Sequence, residues 1–149
     1  MNELQNTKIF NSIPPGVIKD NAAFVSNVID KQDFPGASYL EFVGLLGATD
    51  VTVATLKVME SSVKTDATTL GGTPTLVKDS TTKPSATADN GVFAFGIDLA
   101  KSRQRYLQLQ ATSGDGTSGT YLAAIAIAHR LGEASSLAAD RNLLFAEYA

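Results

Sequence analysis

His129 is the only histidine in this sequence, and there is no cysteine. A hydrolytic triad would have to be built on His129, with Asp50, Asp98 or Asp115 orienting the ring and one of many serines as nucleophile. No Gly-x-Ser-x-Gly elbow accompanies it. By strand alternation His129 shares a face with Ile125, Ile127 and Leu131 near the end of an apolar run, so a histidine at the edge of the core with one hydrogen bond is the simpler reading. The missing thiols exclude disulfides, thiolate metal sites and a Cys nucleophile together.

The glycine-rich stretch Gly114-Asp115-Gly116-Thr117-Ser118-Gly119-Thr120 has the glycine spacing of a phosphate cradle, but it lacks the lysine and enters a β pattern rather than a helix. It reads as a hairpin loop. Asp115 alone supplies too little charge for calcium, which wants six to eight oxygens, so no metal and no cofactor are expected. Lys101, Arg103 and Arg105 gather beside Tyr106. They would either meet an acidic partner surface or form the solvated lead-in to a strand, and spacing alone favours the lead-in. Nothing points to a carboxylate pair for glycoside hydrolysis, whose separation is a property of the fold. The chain reads as a non-enzyme.

The elements that must position these residues follow from the bulk properties. With 149 residues, 44% of them hydrophobic and only 18% charged, the chain suits one domain with tails and a surface covered in part by neighbours. A net charge of -3 with scattered Lys and Arg gives no footprint for nucleic acid. The first twenty residues hold no apolar core of signal-peptide length, and Leu122–Ala128 is too short to span a bilayer. A soluble protein without an export signal or membrane contact is expected.

Apolar runs of strand length recur between Gly, Pro, Asp, Asn, Ser and Thr, which predicts an all-β fold. The candidate strands are Lys8–Ile13, closed by Pro14-Pro15-Gly16, then Ala23–Asp30, Tyr39–Leu46 and Val51–Glu60, the last two forming a hairpin. Ser61–Asn90 reads as an exposed loop carrying one short edge strand at Thr75–Val77. Val92–Asp98 puts Phe93, Phe95 and Ile97 on one face. Arg105–Ser113 and Thr120–Leu131 form a second hairpin, preferred over a helix across the alanines of Leu122–Ala128. In Thr120–Leu131, Tyr121, Ile125, Ile127 and Leu131 oppose Leu122, Ala124, Ala126 and Ala128, so both faces read as covered. Ser135–Asp140 would open a short helix, and the tail beyond it lacks strand alternation. The predicted architecture is an antiparallel two-sheet sandwich, of jelly-roll type with about eight strands. Residues 1–20 would be an arm with a first strand, 21–132 the core, and 133–149 a tail packing on the core or a partner.

From Asp98 to Leu131 the order of residues has a likeness. Asp98-Leu99, then Arg103 and Arg105-Tyr106-Leu107, then the loop Gly114–Thr120, then a small-apolar strand ending in Arg130 resembles a family of tailed-phage capsid cement (head decoration) proteins. Leu46–Asp50 leading to Leu56–Ser61 is similar to its middle hairpin, Pro84–Asn90 to its loop, and Ala138–Arg141 to its tail. The resemblance covers most of the chain from about Ala22 onward.

The resemblance implies a sandwich protein on the outer surface of the virion, assembled in the host cytoplasm. It would bind the major capsid protein, commonly associate in threes, and have no catalytic residues. The ends suit such a role: Met1–Thr7 is polar and unpatterned, and Leu143–Tyr148 is an apolar tail, and both would order against the capsid or a sister subunit. Asn2, Leu4, Lys101, Arg103, Leu143, Leu144, Phe145 and Tyr148 are therefore the candidate interface residues. An alternative is a carbohydrate-binding or host-attachment module, which would need exposed aromatic platforms although the chain has no Trp and four Tyr. A small hydrolase dependent on His129 ranks third.

Overall fold

In Val92–Asp98 every second residue, Phe93, Phe95 and Ile97, is bulky and fully buried, with Ala94 and Gly96 between them. That is the pattern of a strand with its heavy side on a core. The computed structural model describes residues 6–130 and 143–149. In chain order its strands are β1 Thr7–Ile13, β2 Ile29–Asp30, β3 Tyr39–Thr49, β4 Thr55–Ser61, β5 Lys64–Asp66, β6 Thr69–Leu70, β7 Thr75–Asp79, β8 Val92–Asp98, β9 Tyr106–Thr112, β10 Thr120–His129 and β11 Phe145–Tyr148.

They form a five-stranded sheet, β1-β10-β3-β8-β11, and a four-stranded sheet, β2-β9-β4-β7, with β5 and β6 a separate small hairpin. The two sheets share one core. Phe42, Phe93 and Phe95 come from the first, and Leu56, Val58, Leu107 and Leu109 from the second. This is the expected all-β sandwich. Its four main pairs are nested: β1 lies antiparallel to β10, β2 to β9, β3 to β8 and β4 to β7. The order is that of one long hairpin folded across two layers, and it is compatible with a jelly roll.

Several expectations are corrected. Tyr39–Leu46 and Val51–Glu60 are not a hairpin, because β3 and β4 belong to opposite sheets and Val51–Ala54 arches between them. The same holds for Arg105–Ser113 and Thr120–Leu131, whose glycine-rich connection bridges the layers. Of Ala23–Asp30 only Ile29–Asp30 is a strand, with an isolated bridge from Ala23 to Thr112. The backbone between them is held by other partners: Phe24 N–H donates to Ala111, Asn27 to Ser12 and Val28 to Ala67. Ser61–Asn90 contains the expected edge strand, β7, and also the unforeseen β5–β6 hairpin. The anticipated helix at Ser135–Asp140 lies outside the described residues.

The tail lacks strand alternation in its sequence, yet its last residues form a strand. Phe145–Tyr148 adds to β8 as a parallel edge strand, an exception to the antiparallel rule. Phe145, 8% exposed, stacks on Phe93 with centroids 5.4 Å apart and meets Phe95 edge-on at 5.8 Å. Glu147 points the same way and closes the side of the sandwich. Its Oε1 accepts from Ser80 Oγ (3.1 Å), Thr81 N–H (2.9 Å), Thr81 Oγ1 (3.0 Å) and Thr82 N–H (3.3 Å), and its Oε2 lies 3.2 Å from the Lys78 ammonium of β7. One carboxylate therefore ties the edge of one sheet to the edge of the other.

Candidate functional site

The outer faces of the two sheets are chemically opposite. On the four-stranded sheet the register sets Thr55 beside Thr112, Lys57 beside Gln110 and Met59 beside Gln108, a mostly polar surface. On the five-stranded sheet the outward side chains are largely apolar from edge to edge. Ile9 lies beside Ile127, Ile125 beside Val43, and Ala123 beside Leu45. Val43 in turn meets Ala94, and Leu45 meets Val92. Ile9 is 60% exposed, Leu45 51% and Tyr121 43%. Leu144 and Tyr148 extend the face at its β11 edge, where side chains at Gly91 or Gly96 would collide with them.

The bulky side of β10 turns outward because its small side is needed within. Leu122, Ala124, Ala126 and Ala128 point into the core, and Ala126 pairs with Phe42. Gly44, paired with Ala124, lies directly under the Phe93 ring. Small residues on β10 and β3 make room for phenyl rings, as close packing of an interior demands. The expectation that both faces of Thr120–Leu131 are covered is thus corrected: Tyr121 and Ile125 are exposed, while Leu131 lies outside the described residues.

Few charges interrupt this surface. Glu41 and His129 are paired, Oε2 to Nε2 at 3.7 Å, and Asp98 at one end accepts the Ala100 N–H at 2.9 Å. His129 therefore sits on the outer face rather than at a core edge. The hydroxyl of nearby Ser38 donates to the His129 carbonyl (3.4 Å). At the other end Pro15, Leu45, Tyr121 and Ala123 help to line an apolar groove of about 200 Å³. A sheet face open to water ordinarily carries polar residues, so a face on which Ile9, Leu45, Tyr121 and Ile125 are exposed stands out.

The glycine-rich loop is held from below by aspartates. Asp50 accepts the backbone N–H groups of Gly119 (2.8 Å), Ser118 (2.7 Å) and Thr117 (3.2 Å), and Asp20 accepts that of Gly116 (2.8 Å). The N–H groups of Gly119 and Ser118 hold the Asp50 carboxyl below its ordinary range. The donors that a phosphate would need are thus occupied. Among the described residues no group of three or more His, Asp and Glu is placed to hold a metal.

The interface candidates scatter. Asn2 and Leu4 lie outside the described residues. Lys101 is exposed between β8 and β9. Arg103 is half-buried, its Nε donating to the Asp98 carbonyl (3.2 Å) and its own carbonyl accepting from Lys31 Nζ (2.6 Å). Arg105, from the same basic cluster, grips Asp30 through Nη2 at 2.7 Å and Nε at 3.1 Å. That bond, more than any other influence, lowers the Asp30 carboxyl. Leu143 is half-buried, Leu144 and Tyr148 are exposed on the apolar face, and Phe145 is corrected from interface to core. Of the cluster and the tail, only Leu144 and Tyr148 join the surface that sequence reasoning missed, centred on Ile9, Leu45, Tyr121 and Ile125. The signal was present in the β10 pattern, where alanines alternate with isoleucines and either set would satisfy a core.

No family model matches the chain, and no curated protein matches it in sequence.

Proposed function

We propose that this chain is a structural protein that docks through the outer face of its five-stranded sheet, and that it serves as a cement protein on the outer surface of a tailed-phage capsid. The observation that carries the docking is the contrast between the two outer faces, one apolar from Ile9 to Tyr148 and the other lined by Thr, Gln and Lys. The resemblance of Asp98–Leu131 and Leu46–Ser61 to decoration proteins supplies the partner, the major capsid protein. A modest surface is enough for this role, because copies arranged by symmetry, in threes on the family's pattern, add their contacts through avidity.

The test is co-sedimentation with capsids that lack the protein. The wild-type chain is expected to bind saturably at a fixed ratio to capsid subunits, and Leu45→Lys and Ile125→Lys to bind at least about tenfold more weakly, the cost of burying an unpaired charge. As surface substitutions they should leave unfolding within about 0.5 kcal/mol of wild type. Failure of the wild type to sediment, or undiminished binding by both variants, would overturn the reading.

A further inference from the structure

We propose that a second site lies on the opposite side of the sandwich, a cleft on the outer face of the four-stranded sheet that takes an acidic sugar, such as a uronic acid. The cleft measures about 470 Å³, within the range of about 300–1,000 Å³ usual for small-ligand sites. Its walls are the segment 23–26 and the β5–β6 hairpin, and its floor is β4 and β9. The walls are fastened rather than loose. Gln108, 3% exposed, donates from Nε2 to the Ser26 carbonyl on one wall (2.9 Å) and the Thr68 carbonyl on the other (2.7 Å).

The same glutamine orients the next. Gln110 Nε2 donates to Gln108 Oε1 at 2.8 Å, which leaves a second N–H and the carbonyl oxygen of Gln110 for a ligand. A donor and an acceptor side by side suit vicinal hydroxyls. Thr55 and Thr112 border them, and Val25 and Pro74 offer apolar contact to the C–H face of a sugar ring. Lys57 supplies the charge. It is half-buried, no Asp or Glu among the described residues lines the cleft, and Asp79, opposite Lys57 in the register, is engaged by Lys83 at 3.6 Å. A lone cation among hydroxyls and amides selects one carboxylate on a polyhydroxylated ligand. A peptide strand is disfavoured, because a sheet face, unlike an edge, has no open backbone ladder for it to join. The site does not depend on the docking face and stays open when that face is covered.

The experiment is titration of the isotope-labelled full chain with glucuronate, glucose, acetate and a short glutamate peptide at matched ionic strength, followed by amide NMR. Glucuronate is expected to give saturable shifts confined to the cleft, including the Gln110 side-chain amide, with a dissociation constant on the order of millimolar. Glucose and acetate should bind about tenfold more weakly, and Lys57→Gln should lose about tenfold for glucuronate while leaving glucose unchanged. Gln110→Ala should weaken both sugars. The proposal fails if no saturable shift appears, if acetate matches glucuronate, if the glutamate peptide binds more tightly, or if Lys57→Gln binds glucuronate as wild type does.

Discussion

Glu147 shows how much one side chain contributes to closing this sandwich. Burial pushes its carboxyl upward, but the Lys78 ammonium and the Thr82 and Thr81 donors prevail, so it titrates below the ordinary 4.5. A depressed folded-state value means that the stabilisation is complete above about pH 4.5 and is lost as pH falls through the lower folded value. Replacing Glu147 by Gln should cost about 1–3 kcal/mol at neutral pH, the loss of charge-assisted bonds at a buried position. Denaturant unfolding from about pH 7 down to about pH 3, through the range in which carboxylates titrate, checks this: the wild type should lose stability more steeply than Glu147→Gln, and parallel curves would assign the stabilisation elsewhere. No local pattern announced the role of this residue. Glu147 sits in a tail without alternation, and its partners are more than sixty residues away.

At the level of elements, side-chain periodicity was legible and strand partnership was not. Val92–Asp98 was readable to its ends, because Phe93, Phe95 and Ile97 leave no other side for the core. Val51–Ala54 and Ser113–Gly119 are as short as hairpin loops, yet each carries the chain from one sheet to the other. Length and turn residues alone do not distinguish a loop that returns along its own sheet from one that arches across the core. The docking face was missed for a related reason: alternation separates two sides of β10 without saying which is inner, and hydrophobicity suggests the isoleucines where packing requires the alanines. That packing makes Gly44→Ala a sharp test. A methyl there would strike the buried Phe93 ring, and we expect a loss of about 1–3 kcal/mol in equilibrium unfolding, far above the gain of ordinary Gly→Ala changes in strands. An unchanged midpoint would mean that β3 and β8 can separate without penalty.

For the whole molecule, the two outer faces divide the work: one apolar and proposed for the shell, the other polar and carrying the cleft. Variants that separate them are available, since Leu45→Lys should weaken capsid binding and spare the cleft, whereas Lys57→Gln should weaken glucuronate binding and spare the capsid. The nested order of the pairs also implies a sequence of events in time. Bringing β1 to β10 directly would mean closing a loop of more than a hundred residues, from Thr7 to His129. Once β4 and β7 have met, however, β3 is carried towards β8, then β2 towards β9, and each pairing shortens the loop that the next must close. The chain should therefore zip from its middle outward, on the slow scale of milliseconds to seconds typical of sandwiches with distant partners. In stopped-flow kinetics Val58→Ala, near the centre of the zip, should mainly slow folding, while Phe10→Ala, at its last tooth, should mainly speed unfolding. Unfolding would then begin where β1 leaves β10, and the strands around the β4–β7 turn would be the last to part.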